Sequence, residues 1–107
     1  MTTKIDKMMT LDEFEENYLR NHPHEIDAYL KLTFEELAKD KDLNTALATL
    51  RVIAKVKGMG ETAKQIGMTR QGLQKALSPN GNPTLSTFRN ILESFGYRLS
   101  VEKIVGE

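Results

Sequence analysis

Four polar residues interleaved with apolar ones carry the most chemistry in this sequence. From Thr69 to Leu77, Leu73, Ala76 and Leu77 share one helical face, while Arg70, Gln71, Gln74 and Lys75 lie on the other. A guanidinium matches the O6/N7 edge of guanine bidentately, and a carboxamide matches the N6/N7 edge of adenine. Arg70 and Gln71 stand at the start of the helix, the end that enters a major groove most deeply. Gln74 lies one turn on. Thr69 and the first backbone amides suit a phosphate, as helix N-termini do. Lys64, upstream, adds a phosphate-seeking charge. Ser78 and Asn80, in the loop from Ser78 to Asn82, either add polar phosphate contacts or belong to a plain connector. Gly72 is unusual, because an exposed helical glycine costs about 1 kcal/mol relative to alanine. It reads either as room for a sugar-phosphate chain or as tolerated local packing.

Other chemistry is thin. His22 and His24 flank Pro23 without further ligands, which reads as surface rather than metal. Gly58-x-Gly60 lacks the strand and third glycine of a dinucleotide loop. No nucleophile, base and orienting group assemble into a set. The expectation is a binding protein without cofactor or metal, not an enzyme.

The elements that must position this face are mostly helical. Leu11, Phe14, Tyr18 and Leu19 predict one face of a helix from Thr10 that ends before Pro23. Ile26, Tyr29, Leu30, Phe34, Leu37 and Ala38 predict a second, closed by the polar break Asp40-Lys41-Asp42. Leu43, Ala46, Leu47, Leu50, Ile53 and Ala54 predict a third, from about Asn44 to Lys57, where Gly58 stops it. Gly58-Met59-Gly60 reads as a turn, followed by a short helix from Glu61 to Ile66 that Gly67 ends. Thr69 is an N-cap for the helix from Arg70 to Leu77. Thr84 or Asn82 caps a last helix whose buried stripe is Leu85, Phe88, Ile91, Leu92 and Phe95, with Gly96 at its C′ position.

Met59 to Leu77 therefore reads as a helix-turn-helix. Ala63 is small where the two helices approach closely. Gly67, four residues on, sits where the turn favours positive φ. Leu73 anchors the second helix, and Ile66 and Met68 face inward beside the glycine. A helix pair joined this way is the geometry that places its second helix in the DNA major groove.

After Gly96 the period changes to two. Tyr97, Leu99 and Val101 alternate with Arg98, Ser100 and Glu102, which predicts a strand running on through Ile104 and Val105. A lone strand leaves backbone groups unpaired. It is expected to pair with its copy across a homodimer, with Tyr97, Leu99 and Val101 near the axis. Pairing with Thr2 to Met9, or with a partner's sheet edge, are the alternatives.

The chain has 107 residues, no cysteine, and 15 basic against 15 acidic residues. Its length suits one domain with short accessory segments. The lack of cysteine excludes a disulfide scaffold and any thiolate chemistry. The polar, charged N-terminus and the absence of long apolar runs predict a cytoplasmic protein without a signal peptide or membrane span. The zero net charge hides a split. Residues 1–42 hold six basic and eleven acidic side chains, and residues 43–107 hold nine and four. Between Leu43 and Pro83 the basic residues Arg51, Lys55, Lys57, Lys64, Arg70 and Lys75 face a single acid, Glu61, the footprint expected for phosphate contact. The acidic half is either an ordinary solvated face or the complement of a basic partner. Three segments follow: 1–42, acidic and helical; 43–96, DNA-binding; and 97–107, for dimerisation.

The stretch Thr69-Arg70-Gln71-Gly72-Leu73-Gln74-Lys75-Ala76-Leu77-Ser78-Pro79-Asn80-Gly81-Asn82-Pro83-Thr84 resembles that of the addiction-module antidote proteins, Xre-like helix-turn-helix antitoxins of bacterial type II toxin–antitoxin pairs. The resemblance continues through Phe88, Ile91, Leu92, Gly96, Tyr97, Arg98, Leu99, Ser100 and Val101, and upstream in Ala28-Tyr29-Leu30. Gln74 stands where the family often carries an aromatic residue. The resemblance implies an all-α, Xre/lambda-repressor-like bundle with extra N-terminal helices and the one C-terminal β-strand. It implies an antitoxin that represses its own operon at a palindromic operator in double-stranded DNA and neutralises a small basic toxin of the RelE/ParE-like class, with the acidic segment 1–42 the toxin-binding candidate. The competing readings are a stand-alone phage-type repressor and a protein-interaction module that has lost DNA binding.

Overall fold

A computed structural model describes residues 9–40 and 42–106. Six α-helices and one 3₁₀ turn make up all of its regular structure: α1 (Leu11–Asn21), the 3₁₀ turn Pro23–Glu25, α2 (Ile26–Asp40), α3 (Leu43–Lys57), α4 (Met59–Gln65), α5 (Arg70–Ala76) and α6 (Leu85–Ser94). The local sequence explains where they begin. Thr10 closes a capping box with Glu13 at the head of α1. Asp42 accepts the amides of Asn44 and Thr45 at the head of α3, and Thr84 accepts that of Thr87 at the head of α6.

Helix α3 is the hub. Ala46, Leu47, Thr49, Leu50, Val52, Ile53 and Ala54 are all buried, covering most of its circumference. α1, α2 and α4 all pack against it. Leu19, Ile26, Leu30, Met59, Ala63, Leu73, Leu77, Ile91, Leu92 and Phe95 complete the core around it. Two hydroxyls sit between α2 and α3. Thr33 Oγ1 lies 2.9 Å from Thr49 Oγ1 and donates to the Tyr29 carbonyl at 3.0 Å. Thr49 is thus the donor between the two threonines, and both are satisfied without solvent.

Two of the helix ends share one chemistry. At α4, Met68 N–H donates to the Ala63 carbonyl (2.8 Å) and Gly67 N–H to that of Lys64 (3.2 Å), with Gly67 at φ 75°. At α6, Tyr97 N–H donates to Leu92 (2.9 Å) and Gly96 N–H to Glu93 (3.0 Å), with Gly96 at φ 97°. Both are Schellman closures, which satisfy orphan carbonyls and require a left-handed residue where glycine alone is unstrained.

Three expectations are corrected. The helix expected from Glu61 begins at Met59, because Gly58 makes the whole turn at φ 105° and Met59 is buried as the first helical residue. The last helix does not bury the whole stripe expected of it: Ile91, Leu92 and Phe95 enter the core, while Leu85, in its first turn, is 73% exposed. The strand expected over Tyr97 to Val105 is absent, and no strand occurs among the described residues. Tyr97 is half-buried and its Oη donates to Asp27 on α2 at 3.0 Å, but beyond it the tail is open, with Val101 97% exposed. Alternation alone makes no strand when no neighbouring backbone answers the ladder. Of the alternative partner Thr2 to Met9, all but Met9 lies outside the described residues.

Candidate nucleic-acid interface

The face in question is built on α5. Thr69 adopts an extended conformation (φ −77°, ψ 158°), and its hydroxyl accepts the Gly72 amide at 2.9 Å. This fixes the helix start. Leu73 and Leu77 are wholly buried and lock the rotation of α5 against the core. With that face inward, Arg70, Gln71, Gln74 and Lys75 are all exposed. No ion pair among the described residues engages Arg70, Lys75 or Lys64. Lys64 is exposed on the last turn of α4.

The remaining positions are occupied in ways the sequence did not announce. A Cβ on Gly72 would stand 3.0 Å from the Thr69 hydroxyl and 3.6 Å from the end of Met68, so the glycine eases the cap at its own helix start. A Cβ on Gly60 would meet Arg70 Cδ at 4.0 Å, an ordinary van der Waals contact. Ser78 is half-buried and its hydroxyl donates to the Lys75 carbonyl at 2.7 Å. Asn80, at φ 63°, is tied to α3: its N–H donates to Asn44 Oδ1 (2.8 Å) and its Oδ1 accepts from Asn44 Nδ2 (3.1 Å). Beside them an open groove of about 420 Å³ runs along Gly72, Lys75, Ser78, Asn80, Gly81 and Asn82. Gly81 touches the end of α5 so closely that a Cβ would lie 2.2 Å from the Ala76 carbonyl oxygen.

Arg51 leaves the basic footprint. Its Nε binds Asp12 Oδ2 at 2.6 Å and its Nη1 donates to the Leu77 carbonyl at 2.5 Å. The guanidinium therefore joins α1 to the C-terminal end of α5, and its charge is spent inside the molecule. Asn44, Gly81 and Arg51 were missed as site-supporting residues. Only Gly81 carried a local signal, in Pro79-Asn80-Gly81, because the other two act across long sequence separations.

His22 Nδ1 lies 2.8 Å from the Tyr18 carbonyl and its ring stacks on Tyr18 at 4.2 Å, while His24 points to solvent. Among the described residues no three His, Cys, Asp or Glu side chains could share a metal. No helix among them is long and apolar enough to cross a membrane.

Residues 10–103 match the model of a family described as "probable addiction module antidote protein". An uncharacterized protein of Haemophilus influenzae is 30% identical over 74 residues, which span 69% of this chain and 76% of the relative. No solved structure matches. The match runs from the cap of α1 through the exposed tail, across all six helices, and the chain belongs to the addiction-module antidote family.

Proposed function

We propose that the chain is the antitoxin of a type II toxin–antitoxin module. It folds as an Xre-like helix-turn-helix bundle, binds operator DNA through α4 and α5, represses its own operon and neutralises a cognate toxin of the RelE/ParE-like class. The observation that carries the DNA reading is α5 itself. A capped helix, rotationally fixed by Leu73 and Leu77, turns Arg70, Gln71, Gln74 and Lys75 outward in a basic setting. Arg70 and Gln71 read base edges from the helix start; Lys75 and Lys64 neutralise phosphates; Thr69 and Asn80 meet the phosphate backbone near the helix ends, while Ser78, which donates to the Lys75 carbonyl, holds the loop against α5. Two copies, with recognition helices about 34 Å apart, read a palindrome. Contacts between tails through Tyr97, Leu99 and Val101 hold the pair.

The antitoxin reading rests on family membership, and the acidic segment 1–42 is the surface offered to a basic toxin. Mobility shift on the DNA upstream of its own operon, with co-purification of the neighbouring reading frame's product, tests both halves. DNA binding without any toxin complex leaves a stand-alone repressor. A toxin complex without DNA binding leaves an interaction module.

A further inference from the structure

Helix α1 spends one apolar residue on the core and leaves the rest outside. Phe14 is 59% exposed, and Leu32, across from it on α2, is 57% exposed. With Tyr18 they line an open groove of about 470 Å³ between the two helices, with Glu15 and Glu25 among its lining residues. The groove is preorganised. Tyr18 Oη donates to both carboxylate oxygens of Glu25 at 2.9 Å, and its ring is stacked on His22. An aromatic side chain held in place before a partner arrives loses little freedom on binding. Exposed apolar patches with charged rims mark interaction sites.

We propose that this groove is where the cognate toxin docks, receiving a basic amphipathic segment whose apolar side chains sit against Phe14, Tyr18 and Leu32. The inference rests on the antitoxin reading and names the surface it uses. Charge selects the occupant. Glu15 and Glu25 line the groove and no basic residue does, so its local field favours a cationic partner. The chain's own tail, from Tyr97 to Glu107, carries two basic and two acidic residues and offers no such complement. No residue of α5 lines the groove, so toxin and DNA contacts fall on different side chains.

The test is titration calorimetry of the purified toxin against the full chain and the variants Phe14→Glu and Leu32→Glu. Operator binding and thermal unfolding are measured alongside, and Leu32→Ser serves as a milder change should a glutamate disturb α2. Each glutamate is expected to weaken toxin binding about 30-fold or more, the size of an interface hot spot, with operator affinity unchanged. Glu15→Gln combined with Glu25→Gln should flatten the salt dependence of the association rate. Wild-type toxin affinity in Phe14→Glu and Leu32→Glu overturns the groove while leaving the antitoxin reading intact. A changed sedimentation coefficient at unchanged toxin affinity overturns it in favour of a second copy. Failure of the unmodified chain to bind toxin overturns both readings.

Discussion

Replacing Arg51 with alanine separates two roles that a basic residue beside a DNA-binding face can have. In the structure the guanidinium is a strut, 2.6 Å from Asp12 and 2.5 Å from the Leu77 carbonyl. The two charged side chains are only 17% and 21% exposed, so solvent screens this pair less than a surface one. A hydrogen bond involving a charged group contributes about 1.5–3 kcal/mol net. Arg51→Ala removes two. The stranded Asp12 limits the damage, because it keeps some solvent and lies in the first turn of α1, where the helix dipole favours an anion. The expected destabilisation is about 2–4 kcal/mol, against about 0–1 kcal/mol for an exposed pair such as Lys31–Asp27. Urea unfolding followed by circular dichroism measures it. In a melt, about 4 °C per kcal/mol is expected for a chain of this size. A double-mutant cycle with Asp12→Ala should return a coupling of about 1–2 kcal/mol. The salt slope of operator binding should stay unchanged. A loss of stability below about 0.5 kcal/mol together with a slope reduced by about one unit would refute the strut and restore Arg51 as a phosphate contact.

Three further outcomes are expected. Gly81→Ala forces the loop off the Ala76 carbonyl, since the new Cβ would stand 2.2 Å from it; the stability loss should exceed about 2 kcal/mol, and an unfolding midpoint within error of wild type would contradict the close contact. Lys64→Ala should weaken operator binding on all sequences and lower the salt slope by about one unit, with a base-specific loss counting against a phosphate role. A chain ending at Tyr97 keeps the Asp27 hydrogen bond but loses Leu99 and Val101; sedimentation should report a monomer, and a persisting dimer would remove the tail from the interface.

The helices were legible because each combined periodic apolar residues with explicit end signals. Thr10, Asp42, Thr69 and Thr84 accept amides at helix starts, and Gly67 and Gly96 supply positive φ at helix ends. These are local effects, decided within one turn. What stayed hidden depends on residues far apart in sequence. Arg51 reaches 39 residues back to Asp12, and Asn44 reaches 36 forward to Asn80. Periodicity marks an apolar face but not whether a neighbour covers it, so Leu85 read as buried, and nothing local announced that Phe14 and Tyr18 of α1 stay outside. The tail misled for the same reason, since a period of two records a capacity for pairing and says nothing about a partner. On α5 the outward direction of Arg70 and Gln71 could be read from Leu73 and Leu77, whereas the hold of Asn44 on Asn80 could not.

Competition mobility shift with single base-pair variants of the upstream operator, run in parallel for wild type and Arg70→Ala, bears most directly on the proposed reading of DNA by α5. The wild-type chain should discriminate at the position facing Arg70, and the variant should lose about 1–3 kcal/mol there while keeping its preferences elsewhere. No preference of the wild type for operator over random DNA, or an equal loss at every position in the variant, would contradict it.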